Sequence, residues 1–93
     1  MRDRMTYLVA YDIRCNRRRS RVLDFLRNYG MPVQKSVVEC ELLPRELTEV
    51  RARMGDLIQR RVDQVRIYPL CRACLERSEV IGEGTVAGRD VGY

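Results

Sequence analysis

The residues best suited to act on a phosphodiester lie between positions 12 and 27. Asp12 ends the run Met5-Thr6-Tyr7-Leu8-Val9-Ala10-Tyr11 and is the first carboxylate after Asp3. Behind it come Arg14, Arg17, Arg18, Arg19, Arg21 and Arg27 against Asp24 alone, a formal +5 that equals the charge of the whole chain. Guanidinium groups are planar forks that take phosphate oxygens two at a time. A run of like charge is usually a solvated face, and a lone carboxylate ending a strand more often caps a helix or closes an Asx-turn than it holds a metal. Arginines at the start of a helix, however, oppose the positive end of the peptide dipole, a cost that a bound anion removes. That local cost favours phosphate, held through the nucleic-acid backbone and therefore without sequence preference.

Other chemistries are narrowed by composition. Histidine is absent, which removes His-based triads, His metal sites and the commonest general base at neutral pH. Catalysis would have to rest on carboxylate, metal-bound water, Tyr or Cys. Cys71-Arg72-Ala73-Cys74 is a single Cys-x-x-Cys pair, whereas structural zinc needs four ligands, and Cys15 and Cys40 lack the spacing to complete the set. The pair follows the last core strand instead of opening a helix after the first, so two packed thiols are expected in place of a thioredoxin-like site. Tyr7, Tyr11, Tyr29 and Tyr68 fall in strand or helix stripes, as core or dimer contacts.

These side chains need elements to hold them. Over 5–12 the β-formers Tyr7, Val9 and Tyr11 point one way and Leu8, Ala10 and Asp12 the other, predicting a strand covered on both faces. A domain this small covers only one face with its own helices, so the second cover is expected to be another copy of the chain. Asn16 as N-cap and the stripe Val22, Leu23, Phe25, Leu26 and Tyr29 predict a helix over roughly 16–29, closed by Gly30 at C′ with Pro32 beyond. At about 100° per residue, Arg18 and Arg19 fall on the stripe side of the first turn, at the rim where the strand delivers Asp12. Arg17 and Arg21 face outward or flank that stripe. Residues 33–43 are extended, as one strand or as a tight hairpin, with no Asn-Gly or Gly-Gly pair to choose between them. Pro44 and Glu46 open a second helix along Leu47, Val50, Met54, Leu57, Ile58 and Val62. Val65 to Leu70 is a further strand in which Pro69 marks an edge or an end, and Val80-Ile81-Gly82 leads into a weakly determined glycine-rich tail. The order β-α-β(β)-α-β is that of an α+β split βαβ sandwich, two helices on one face of a sheet.

Ninety-three residues and 11.0 kDa leave room for one core, expected as a single domain over 1–93 with its core at 5–82 and a tail at 83–93. With 45% hydrophobic and 33% charged residues the chain sits inside the ordinary globular range, which argues against disorder and a fibrous chain. No apolar run approaches the ~18–20 residues of a membrane span, and the start Met1-Arg2-Asp3-Arg4 lacks a signal-peptide pattern. A soluble, cytoplasmic protein with reduced cysteines is the expectation. A pI near 9.4 favours polyanionic partners, although seventeen arginines to one lysine report GC-rich codons as readily as phosphate binding.

One family pattern joins these pieces. Tyr11-Asp12-Ile13, Arg18-Arg19-Ser20-Arg21-Val22, Gly30, the segment Val33-Gln34-Lys35-Ser36-Val37-Val38-Glu39-Cys40-Glu41-Leu42 and Val65-Arg66-Ile67-Tyr68-Pro69-Leu70-Cys71 follow one another in this order. Together, from residue 5 to about 85, they resemble the Cas-two family, the small CRISPR-associated protein of spacer acquisition. The resemblance implies a ferredoxin-like β-α-β-β-α-β core with a short turn near Lys35-Ser36, a homodimer with facing sheets, and an extra C-terminal strand that crosses to the partner. It implies a divalent-metal site at Asp12 and nucleic-acid contacts from Arg19 and Arg21, in a segment where Arg14, Arg17 and Arg18 add charge. Mg²⁺ or Mn²⁺ takes one or two carboxylates and completes its shell with water and phosphate oxygens, so Asp12 and its symmetry mate would share one ion across the dimer axis. Some members are described as metal-dependent endoribonucleases or deoxyribonucleases. In the acquisition complex, the family's dimer bridges two dimers of the CRISPR integrase subunit and holds double-stranded DNA. The chain departs from the pattern at Pro32, where a basic residue is common, and at Val38, where an aromatic is usual.

Overall fold

The structure is a computed structural model and describes residues 4–83. Strand β1 (Met5–Asp12) leads to helix α1 (Asn16–Leu26), the hairpin of β2 (Gly30–Gln34) and β3 (Val37–Leu42), helix α2 (Pro44–Leu57), strand β4 (Gln64–Leu70) and a short helix α3 (Arg72–Glu76). The strands lie in the order β2-β3-β1-β4, with every neighbouring pair antiparallel. This is the ferredoxin-like β-α-β-β-α-β arrangement. Among the described residues no strand follows β4: α3 takes that place, and residues 84–93 lie outside the described residues.

Strand alternation decides where the core sits. Tyr7, Val9 and Tyr11 of β1 and Val38, Cys40 and Leu42 of β3 are buried against Val22 and Leu26 of α1 and Val50 and Met54 of α2. Fully burying each aliphatic side chain of this set contributes about 1.5–3 kcal/mol, so this one layer dominates the fold's stability. The opposite side of the sheet has no helix of the two-helix layer over it. Met31, Glu39, Leu8 and Tyr68 are successive partners across the four strands there, and Met31 and Tyr68 are 71% and 46% exposed.

The boundaries of α1 differ from expectation. Asn16 is not the N-cap: Cys15 holds that position without a side-chain cap, and Asn16 stands inside the first turn. The helix ends at Leu26, with residues 27–29 forming a tightened turn in which Asn28 N–H reaches the Phe25 carbonyl and Tyr29 N–H the Leu26 carbonyl. Tyr29 still packs on Phe25, with ring centroids 5.3 Å apart, so the apolar stripe outlasts the helix. Gly30 is not a left-handed cap either. It begins β2, where a Cβ would lie 1.9 Å from the Glu39 carbonyl oxygen, so glycine is required by the close approach of β3.

Residues 33–43 resolve into the hairpin. Lys35 and Ser36 form its turn, Ser36 takes φ 70°, and the Ser36 carbonyl accepts the Tyr11 N–H at 3.0 Å. A register irregularity between Pro32 and Gln34 adjusts the edge strand β2. At α2, Glu46 accepts the Leu43 N–H at 2.8 Å, which satisfies a donor at the helix start. Val62 leaves the predicted stripe, being 48% exposed beyond the helix end, and its neighbour Asp63 turns inward instead. Pro69 lies in β4, an edge strand, as its missing N–H requires.

Candidate nucleic-acid interface

The end of β1 presents Asp12 on the side of the sheet opposite Tyr11, because side chains alternate along a strand. The carboxylate is exposed and makes no hydrogen bond or ion pair among the described residues. Ile13 then plunges into the core, 3% exposed, and turns the chain towards α1. An exposed, unengaged carboxylate is a hard oxygen donor suited to Mg²⁺ or Mn²⁺ with water completing the shell. No group of three or more potential metal ligands occurs among the described residues, so one chain alone builds no three-ligand metal site there.

Asp63 holds the adjoining segment in place, and the sequence reading missed it. Its side chain is fully buried and accepts four hydrogen bonds: Arg14 N–H at 3.0 Å, Gln59 N–H at 2.8 Å, and Arg18 Nε and Nη2 at 2.7 and 3.2 Å. The loop after α2 is thereby tied to the start of α1. The Arg18 fork holds the Asp63 carboxyl well below the usual carboxylate range, assisted by the Arg14 and Gln59 N–H groups and opposed by burial. The one available signal was an aspartate directly after the apolar Val62, too weak to single out.

The predicted arginines therefore separate. Arg18 is committed to Asp63. Arg19 is half-buried and folds back, donating to the Ile13 carbonyl at 2.8 Å and to the Asn16 side-chain oxygen. Arg14, Arg17 and Arg21 are exposed, and their side chains have no protein partner among the described residues. No acidic residue stands in the first turn of α1. Arg19 also lines an open groove of about 460 Å³ between α1 and the β2–β3 hairpin, with Tyr11, Ser20, Leu23 and residues 32–36. Among the described residues Lys35 is the second cation of this groove and no carboxylate lines it. Burial raises the Tyr11 phenol against the opposing pull of Arg19 and Arg27, so it stays protonated at neutral pH and can donate a hydrogen bond but not act as a base.

The Cys71–Cys74 pair departs from the packed thiols expected. Both are exposed, because β4 is an edge strand and the chain has left the core by Leu70. Cys71 sits at the N-cap of α3 and its sulfur accepts the Cys74 N–H.

The model of the family described as CRISPR associated protein Cas2 matches residues 5–78, a span that includes Asp12, the arginine segment, the hairpin and β4. The chain belongs to the Cas2 family. It is 40% identical over 81 residues to the CRISPR-associated endoribonuclease Cas2 1 of Chloroflexus aurantiacus, an alignment covering 86% of this chain and 87% of that protein. The hypothetical protein TT1823 from Thermus thermophilus superimposes with a TM-score of 0.79 at 38% identity, covering 89% of this chain and 96% of that one. Streptococcus pyogenes Cas2 gives a TM-score of 0.75 at 31% identity, over 84% of this chain and all of the other. Pro32 and Val38 face each other across the hairpin, with Val38 fully buried. Among the described residues no helix is long and apolar enough to cross a membrane.

Proposed function

We propose that this Cas2-family chain is a homodimeric, duplex-DNA-binding architectural subunit of CRISPR adaptation that bridges dimers of the integrase subunit. The observation that carries the reading is the start of α1, where Arg14, Arg17 and Arg21 are exposed without protein partners and no acidic residue offsets the helix N-terminus. Cations there raise the free energy of the isolated chain, and a phosphate backbone laid across them relieves it. The groove lined by Arg19 and Lys35 extends the same cationic surface towards the hairpin. Replacing Arg19 and Arg21 together should flatten the plot of log affinity for duplex DNA against log salt by ~1.8 units, two phosphate contacts' worth. An unchanged slope would remove these arginines from the interface.

The dimer is supported by the sheet face that carries Met31, Leu8 and Tyr68, opposite the face on which α1 and α2 pack. Sedimentation at micromolar concentration should give twice the 11.0 kDa chain mass. A monomer would remove the twofold platform.

Asp12 and its symmetry mate would hold Mg²⁺ or Mn²⁺, and such an ion, when bound, polarises a phosphodiester and lowers the pKa of water. Asp12 would supply charge and a hard oxygen, and the exposed arginines would orient the backbone. The Chloroflexus relative is named a CRISPR-associated endoribonuclease, which favours ribonuclease activity, and in a second reading the chain is a free-standing metal-dependent endoribonuclease. Asp12→Asn separates the two, since the amide keeps the shape and loses the charge. The variant should lose any metal-dependent cleavage of RNA or DNA while retaining fold, duplex binding and, in cells, insertion of new spacers. Loss of spacer insertion with intact dimer and DNA affinity would overturn the architectural reading.

A further inference from the structure

Four cysteines occupy three different environments. Cys40 is fully buried, and burial pushes its thiol up to about 11, so it is inert near neutral pH. Cys15 is half-buried at the start of α1. Cys71 and Cys74 are both exposed and their sulfurs lie 3.4 Å apart, held there by the turn that brings the Cys74 N–H onto the Cys71 sulfur. A disulfide needs the two sulfurs at ~2.05 Å, a side-chain adjustment of about 1.4 Å with no core packing to displace.

We propose that Cys71 and Cys74 are a redox-active dithiol that closes reversibly to an intramolecular disulfide by exchange with low-molecular-weight disulfides. The Cys71 thiolate attacks one sulfur of the reagent disulfide, forming a mixed disulfide and expelling one reagent thiolate. Cys74, losing its proton to solvent, then attacks the Cys71 sulfur, forming the Cys71–Cys74 bond and expelling the second thiolate. The protein pair is oxidised by two electrons and the reagent is reduced to two thiols. The order of attack follows from asymmetry within the pair. Hydrogen bonds from the Cys74 N–H and thiol lower Cys71, while its role as donor to Cys71 raises Cys74.

The site is remote from the Asp12 end of the molecule. Leu70 is paired with Thr6, whereas Asp12 is paired with Gln64 at the other end of β4, about 20 Å away at ~3.3 Å per residue. Disulfide closure therefore leaves the proposed nucleic-acid surface untouched and acts on α3, which Cys71 caps.

Arg72 between the two thiols makes the test direct. The full chain, mixed as equal parts of ¹⁵N-labelled and unlabelled protein, is equilibrated with glutathione buffers of increasing oxidised fraction, acid-quenched, alkylated and digested with trypsin. Cleavage after Arg66, Arg72 and Arg77 yields peptides 67–72 and 73–77, each with one cysteine. These peptides should appear joined by a reducible disulfide that grows with the oxidised fraction, with both halves carrying the same isotope. Cys71→Ser and Cys74→Ser should each abolish the joined pair and leave glutathione on the remaining thiol. Absence of the joined pair at the highest oxidised fraction, separate glutathione adducts on both thiols, or mixed-isotope pairs would each overturn the proposal.

Discussion

Two aspartates flank the start of the segment that delivers the arginines, and they are opposites. Asp63 is enclosed, accepts four hydrogen bonds and has no capacity left for a ligand. Asp12 is exposed and has no partner among the described residues. The same contrast separates Arg18, locked to Asp63, from Arg21, which reaches solvent one turn later. Charge that is paired and enclosed fixes geometry, and charge left unpaired at the surface is available to bind. In this chain the first kind holds the second in position.

The comparison breaks most sharply at Asp63. Asp63→Ala leaves the Arg18 guanidinium and the Arg14 and Gln59 N–H groups without their acceptor, and should lower Tm by on the order of 10 °C, read by thermal denaturation. The same carboxylate should dominate acid sensitivity. Its folded-state pKa is depressed, so its stabilisation is fully present above the unfolded value of ~3.9 and is lost as pH falls through the lower folded value. Between pH 5 and 2 the wild type should lose Tm more steeply than Asp63→Asn, and parallel curves would contradict the assignment.

A smaller effect sharpens the contrast within α1. Arg18→Ala should cost several degrees of Tm. Arg21→Ala should leave Tm within about 2 °C, as surface substitutions do, and reduce the salt slope of duplex binding by ~0.9. Equal thermal losses for the two would erase the distinction between a structural and a binding arginine.

The periodicity of apolar residues made most of the fold legible. Alternation in 5–12, the stripe through Val22 and Leu26, and the stripe through Val50 and Met54 each name the face that is buried, because burial demands the period of the element. The order of those elements gave the architecture, and the ordered motifs gave the family. The arginine run was equally visible, since residue type and position suggest phosphate contacts, whereas a metal role for Asp12 came only from the family resemblance.

What periodicity could not reach were contacts between segments distant in sequence. Asp63 meets Arg14 and Arg18 across more than forty positions, and nothing local marks an aspartate as an acceptor for another segment's N–H. Gly30 has the composition of a helix stop, but its reason is the approach of the Glu39 carbonyl from the paired strand. The hairpin turn at Lys35-Ser36 uses a serine at positive φ, a conformation that local preference does not announce and strand pairing enforces. Cys71 and Cys74 are exposed because β4 lies at the sheet edge, and strand order is decided only when the chain packs. The sequence alone therefore determined which residues are apolar, charged or nucleophilic and on which face of an element each falls. The tertiary structure alone decided which charges neutralise one another, because pairing depends on distances that only the packed chain sets.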